Sequence, residues 1–161
     1  MTKLDLSLGE EELEDFLASQ RTARLATVDA QGRPQVVPLW FVWADRAMFL
    51  NSTLGNVTVR NVQRNSEVTA VVDDGESYDQ LRGVLLRGRA VPADGDHRID
   101  NVRRTWSEKY MGGTPVPYDR WRNRVWLRLD PTSITSWDFR KIPEAKARAA
   151  LAEGAAEGEG S

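Results

Sequence analysis

Every residue from Val36 to Trp43 is apolar, and several are β-branched or aromatic. Such a run reads as a β-strand. Strand geometry then sends Val36, Pro38, Trp40 and Val42 to one face and Val37, Leu39, Phe41 and Trp43 to the other. An antiparallel sheet commonly leaves one face wet, so a strand that is apolar on both faces has to be covered twice. One cover is the interior of a barrel. The other is a partner subunit or a ligand, with a helix packed over the outer face as the alternative. The strand therefore predicts a homodimer.

The rest of the chain supplies the barrel. Ser7-Leu8-Gly9-Glu10 has capping-box spacing, and Leu13, Phe16 and Leu17 recur at helical intervals behind it. Residues 25–29, 34–43 and 47–51 read as a three-strand meander, joined by the turns Ala30-Gln31-Gly32-Arg33 and Ala44-Asp45-Arg46. Residues 54–64 suit a short helix with Asn56 as N-cap. Strands follow at 68–73 and 83–91, and a helix over 94–110 places Ile99, Val102, Trp106 and Tyr110 on one face. Residues 125–129 and 133–139 read as a last strand pair across Asp130-Pro131-Thr132. The expected fold is α+β: a six- to seven-stranded antiparallel split β-barrel with flanking helices, one domain over residues 1–142. Residues 143–161, rich in Ala, Glu and Gly, are expected to form a solvated helix that frays.

Composition narrows the chemistry. Cysteine is absent, which removes disulfides, thiolate metal sites and thiol nucleophiles and fits a reducing, cytoplasmic setting. The single histidine, His97, lies among charged residues and is read as a solvated imidazole, and no metal site is expected. The 22 basic and 24 acidic side chains are mixed along the sequence, so nucleic acid is not an expected partner. No stretch approaches the roughly 18 apolar residues of a membrane span.

An anion-binding segment can be read after the third strand. Asn51-Ser52-Thr53-Leu54-Gly55-Asn56 leads into a helix N-terminus, where backbone N–H groups favour a phosphate, and Arg60 and Asn61 follow one turn later. A polar loop with a solvated arginine is the plainer reading of the same residues. Of the six tryptophans, Trp40 and Trp137 sit in strands near polar loops and are the expected neighbours of a flat cofactor ring; Trp43, Trp106, Trp121 and Trp126 are expected to be structural.

Several runs carry a resemblance. They are Arg24-Leu25-Ala26-Thr27-Val28-Asp29, Gly32-Arg33-Pro34, Val37-Pro38-Leu39-Trp40-Phe41, Arg60-Asn61-Val62 with Asn65, Tyr78-Asp79-Gln80-Leu81-Arg82-Gly83-Val84, Arg87-Gly88-Arg89-Ala90 and Ser136-Trp137-Asp138-Phe139. In this order and spacing the chain resembles the pyridoxamine 5′-phosphate oxidase-like superfamily over about residues 8 to 142. It looks closest to the flavin/deazaflavin oxidoreductase (FDOR-B-like) branch. The resemblance implies a split-barrel homodimer with cofactor sites at the subunit interface, taking the deazaflavin F420 or, alternatively, FMN. It places the cofactor phosphate at Ser52, Thr53, Asn56, Thr58, Arg60 and Asn61, and the ring against Val37, Pro38, Leu39 and Trp40, with Trp137 and Arg140 from the partner subunit. The family commonly has a lysine where this chain has Thr58, which leaves the positive charge to Arg60. The implied activity is hydride transfer between F420 and an unidentified small molecule, with Tyr78 or Tyr110 or water as proton source. An FMN-dependent oxidase or reductase, and a non-catalytic flavin- or haem-binding module, are the alternatives.

Overall fold

The computed structural model describes residues 4–118, 120 and 122–158. The helix α1 (Glu10–Ser19) opens the fold and buries Leu13, Phe16 and Leu17, the positions its period singles out. The helix is capped two residues later than the sequence suggests, and by the Glu12 side chain alone. Gly9 is the N-cap, and its N–H donates to Glu12 Oε2 at 2.7 Å. Ser7 instead turns back on Asp5, with both its N–H and its hydroxyl on the Asp5 carboxylate.

Six antiparallel strands close into a barrel: β1 (Thr22–Val28), β2 (Pro34–Ala44), β3 (Ala47–Thr53), β4 (Glu67–Asp74), β5 (Arg82–Pro92) and β6 (Arg124–Asp138), in the spatial order β1-β2-β3-β6-β5-β4. Helix α2 (Val57–Arg64) follows β3, α3 (Ile99–Met111) follows β5, and α4 (Ile142–Gly158) follows β6. The barrel is filled by the inward side chains of all six strands, among them Leu25, Phe41, Leu50, Ala70, Val72, Val84, Leu86 and Leu127, none of which is exposed. Helix α2 contributes Val59 and Val62 to this core, and α1 contributes Phe16 and Leu17. A second apolar cluster lies outside the barrel wall, where α3 lays Val102 and Trp106 over Val42, Phe49 and Trp126. Trp106 and Trp126 meet edge to face at 5.1 Å, an arrangement that the ring quadrupole favours. No helix among the described residues is long and apolar enough to cross a membrane.

Residues 124–138 form one continuous strand where the sequence suggests two. Pro131 has no N–H to donate, which the fold accommodates with a register shift opposite Arg87 and Gly88. Gly88 is required there. A Cβ on it would collide with the Asp130 carbonyl. The third helix also starts five residues later than its apolar period suggests, at Ile99. Asp96 is the reason: its carboxylate accepts the Arg98 N–H at 2.9 Å, a side-chain turn that competes with helix.

That carboxylate is 2% exposed and sits between Arg98 and Arg128, with Nε of Arg98 at 2.9 Å and Nη1 of Arg128 at 2.5 Å. The Arg98 hydrogen bonds, against the opposing cost of burial, hold the acid well below the usual carboxylate range. A carboxylate depressed in the folded state contributes stability above its unfolded pKa and loses it as pH falls. Asp96→Asn is therefore expected to lower stability by about 2 kcal/mol at neutral pH and to flatten the fall in stability below about pH 4, read by urea unfolding at pH 7 and pH 3.

Candidate functional site

Strand β2 changes partner along its length. Residues 34–40 pair with β1, ending at Trp40 opposite Thr22, whereas residues 41–44 pair with β3, beginning at Phe41 opposite Leu50. Strand β3 runs on to Thr53 with β6 as its ladder neighbour, setting Asn51 against Trp126 and Thr53 against Arg124. Between residues 34–40 of β2 and 51–53 of β3 the sheet is therefore open. Continued past Phe41, the register would set Trp40 against Asn51, Leu39 against Ser52 and Pro38 against Thr53. A pocket of about 350 Å³ lies in that opening, lined by Pro38, Leu39, Trp40, Asn51, Trp106, Met111 and Arg124.

One wall has a polar atom without a partner. Asn51 is 6% exposed, and its Nδ2 makes no hydrogen bond among the described residues. A buried amide left unpaired costs roughly 1–3 kcal/mol. This is the kind of cost a ligand oxygen removes on binding. In the sequence Asn51 reads only as the first residue of a polar loop; its place inside β3, facing α3, is set by the register.

The helix α2 begins immediately beyond. Gly55 takes a positive φ of 75° in the turn, and Asn56 caps the helix by accepting the Val59 N–H at 2.9 Å and donating to Ser52 Oγ at 3.0 Å. The backbone N–H groups of the first helical residues have no intrahelical partner and present partial positive charge. Arg60 is exposed and enters no ion pair among the described residues. Ser52 and Thr58 are buried, at 1% and 3% exposure. Asn61 is engaged inside: its Nδ2 donates to Thr27 Oγ1 and Gln35 Oε1, both at 3.1 Å, and its Oδ1 accepts from Arg64.

Val37 lies on the opening strand and is partly buried, while Trp137 and Arg140 lie elsewhere on the same chain. Trp137 packs over Gly83, where a side chain would overlap its ring, and lines a groove of about 730 Å³ beside the N-terminal segment. Arg140 lines a groove of about 900 Å³ and is paired with the buried Asp138 carboxylate at 2.5 Å. The Arg140 hydrogen bonds pull that carboxyl below its usual range. Trp43, Trp106 and Trp126 are buried, Trp106 lining the pocket although the sequence reads it as structural, and Trp121 lies outside the described residues. His97 is 86% exposed.

The two tyrosines read as proton sources differ sharply. Tyr78 is 72% exposed against Phe139, whereas the Tyr110 hydroxyl is bound to backbone at Phe41 and Arg21 and burial pushes it up to about 12. Beside it, burial together with the Arg21 charge draws the Lys109 ammonium down to about 8.

The family profile described as pyridoxamine 5′-phosphate oxidase matches residues 10–138. The chain belongs to this family. Among solved structures it is similar to the conserved hypothetical protein Rv2991 from Mycobacterium tuberculosis, at 28% identity and a TM-score of 0.78, covering 89% of this chain and 92% of that one. It is similar to an F420 reductase at 26% identity and a TM-score of 0.58, covering 76% of this chain and 94% of that one. HutZ, described as the heme storage protein from Vibrio cholerae, shares the fold at 22% identity and a TM-score of 0.64, covering 80% of this chain and 94% of that one. No curated protein matches the sequence. Family membership accounts for the split barrel, and it covers flavin- and deazaflavin-binding relatives of more than one chemistry.

Two asparagines in this region are expected to respond oppositely. Asn61→Ala removes a satisfied buried network and should cost about 1–3 kcal/mol of stability. Asn51→Leu removes an unpaired buried amide and should leave the ligand-free protein as stable or more stable by about 1 kcal/mol. Urea unfolding of the two variants reads the difference directly.

Proposed function

We propose that the chain binds a flavin-type redox cofactor at the opening between β2 and β3, and that it transfers a hydride between this cofactor and a small molecule. The observation that carries this reading is the unpaired Asn51 Nδ2 in a pocket walled by Trp40 and Trp106. A flat heteroaromatic ring bearing carbonyl oxygens matches both the aromatic walls and the missing acceptor. The residues fit such a group at its other end too. The N-terminus of α2 and the exposed Arg60, in the segment that follows β3, would offer partial and full positive charge to a phosphate. Thr58, at 3% exposure, contributes no charge, so the cationic role falls to Arg60.

The cofactor, when bound, supplies the hydride chemistry. The protein's own part is to position and dry the ring. Trp40 and Trp106 would exclude water from it, the free edge of β2 would offer it backbone hydrogen-bonding groups, and Asn51 would bond one ring oxygen. Among cofactors we favour the deazaflavin F420 over FMN. The support is the 26% identity to an F420 reductase across 76% of this chain.

The same region argues for a homodimer. Val36, Trp40, Leu54 and Val57 are 60%, 45%, 56% and 42% exposed around the opening, an apolar rim that a second copy of the chain would cover. In that arrangement Trp137 and Arg140 of the second copy would complete the site.

Titrating the purified protein with F420 and with FMN, following visible absorbance, tests the choice of cofactor. Tighter binding of FMN would reverse it. Arg60→Ala is expected to weaken binding of the preferred coenzyme by about 1.5–3 kcal/mol, the scale of a charged hydrogen bond, and to leave the dimer intact by sedimentation. An affinity that does not change removes the phosphate assignment, and a particle that sediments as a monomer removes the dimer.

A further inference from the structure

The point where β2 changes partner leaves a backbone problem that the last turn of α3 resolves. Phe41 no longer pairs with β1, and its N–H donates instead to Tyr110 Oη at 3.0 Å. The same hydroxyl lies 2.8 Å from the Phe41 carbonyl and 2.7 Å from the Arg21 carbonyl just before β1, so its one proton is shared between two acceptors. Lys109 Nζ donates to the Phe41 carbonyl at 3.3 Å, and Arg21 Nη1 donates to the Lys109 carbonyl at 2.8 Å. A side-chain hydroxyl thus stands where the β1–β2 ladder would have continued.

The ring of Tyr110 has a second task. It stacks on Trp40 at 4.4 Å and 8° between planes, and Trp106 meets the pair at a tilt, 5.9 Å from Trp40 and 4.6 Å from Tyr110. Trp40 is 45% exposed on an open strand edge, and the stack with Tyr110 fixes the plane of its indole. A side chain already fixed in its binding geometry does not lose rotamer freedom when a ligand arrives.

We propose that Tyr110 is the positioning residue of this site, anchoring the β2 switch through its hydroxyl and holding the Trp40 indole as a rigid platform for the bound ring. This rests on the cofactor reading above, and on nothing in the reaction itself. The role is one of position, since the Tyr110 hydroxyl is committed to the Phe41 and Arg21 backbone.

The test uses Tyr110→Phe, which keeps the ring and removes only the hydroxyl, together with Trp40→Ala and the double variant. Two readouts are taken on the full-length protein. The first is ¹⁹F NMR of 5-fluorotryptophan-labelled protein without cofactor, with the Trp40 signal assigned by Trp40→Phe. The second is affinity for F420 and FMN. The expected result is a shifted or broadened Trp40 signal in Tyr110→Phe and an affinity weakened by about twofold to tenfold. In the Trp40→Ala background the same substitution should have no further effect on affinity. A Trp40 signal unchanged by Tyr110→Phe overturns the inference, and so do losses of affinity that simply multiply in the double variant. If the parent protein binds neither coenzyme, the cofactor reading falls, and the fluorine signal alone then decides whether Tyr110 holds Trp40.

Discussion

The structure turns on the change of partner by β2 between Trp40 and Phe41. Had β2 stayed beside β3 for its full length, Trp40, Leu39 and Pro38 would face Asn51, Ser52 and Thr53 across an ordinary ladder, and there would be no pocket. Because it follows β1 first and β3 afterwards, the barrel closes while one corner stays open. Everything distinctive about the site follows from that corner: a free strand edge, a half-exposed tryptophan, a buried amide nitrogen with no partner among the described residues, and a tyrosine hydroxyl doing the work of a missing strand residue. An open corner in a barrel is a place where backbone and side-chain hydrogen bonds have been left for something other than the chain to complete.

The doubly apolar strand is covered differently along its length, and this separates packing from binding. At its C-terminal end Phe41 and Trp43 fill the barrel and Val42 is sealed under α3, so both covers come from the chain itself. At its N-terminal end α3 reaches only Trp40, through Tyr110 and Trp106, and Val36 stays 60% exposed. The helix and the partner or ligand are therefore not competing explanations of one feature. The helix answers for Val42. What remains open is confined to the stretch beside the pocket, which is where a ligand or a second chain is wanted.

Charge sharpens the picture. Arg98, Arg128 and Arg140 are tied to the nearly buried carboxylates of Asp96 and Asp138, and these pairs lock turns and strand ends. Each of these arginines already holds a carboxylate. Arg60 differs in kind, standing exposed in the first turn of α2 with no carboxylate paired to it among the described residues. An isolated cation at a helix start costs some stability, because it opposes the local dipole. A bound phosphate would reverse that sign, which is the electrostatic content of the proposed site.

Local periodicity was enough to read α1, the alternation of Val68, Ala70 and Val72, the α3 face of Val102 and Trp106, and the N-cap at Asn56, because each depends only on neighbours a few residues away. The boundaries that failed did so where a side chain overrode the period: Asp96 delayed a helix, and Gly88 let a strand run through Pro131. The family resemblance put Val37 to Trp40 and Ser52 to Asn61 into one list, but the meeting of Pro38, Leu39 and Trp40 with Asn51 across a gap is a property of register, which no local pattern encodes. Trp106 was read as structural, Tyr110 only as a proton source and Asn51 only as the start of a polar loop, for the same reason. By itself the sequence determined that one strand needed covering on both faces and that an anion-friendly helix start followed β3. Only the tertiary structure decided which part of that strand stayed bare, since pairing between distant segments, and not the residues themselves, settles which hydrogen bonds and which faces are left unsatisfied.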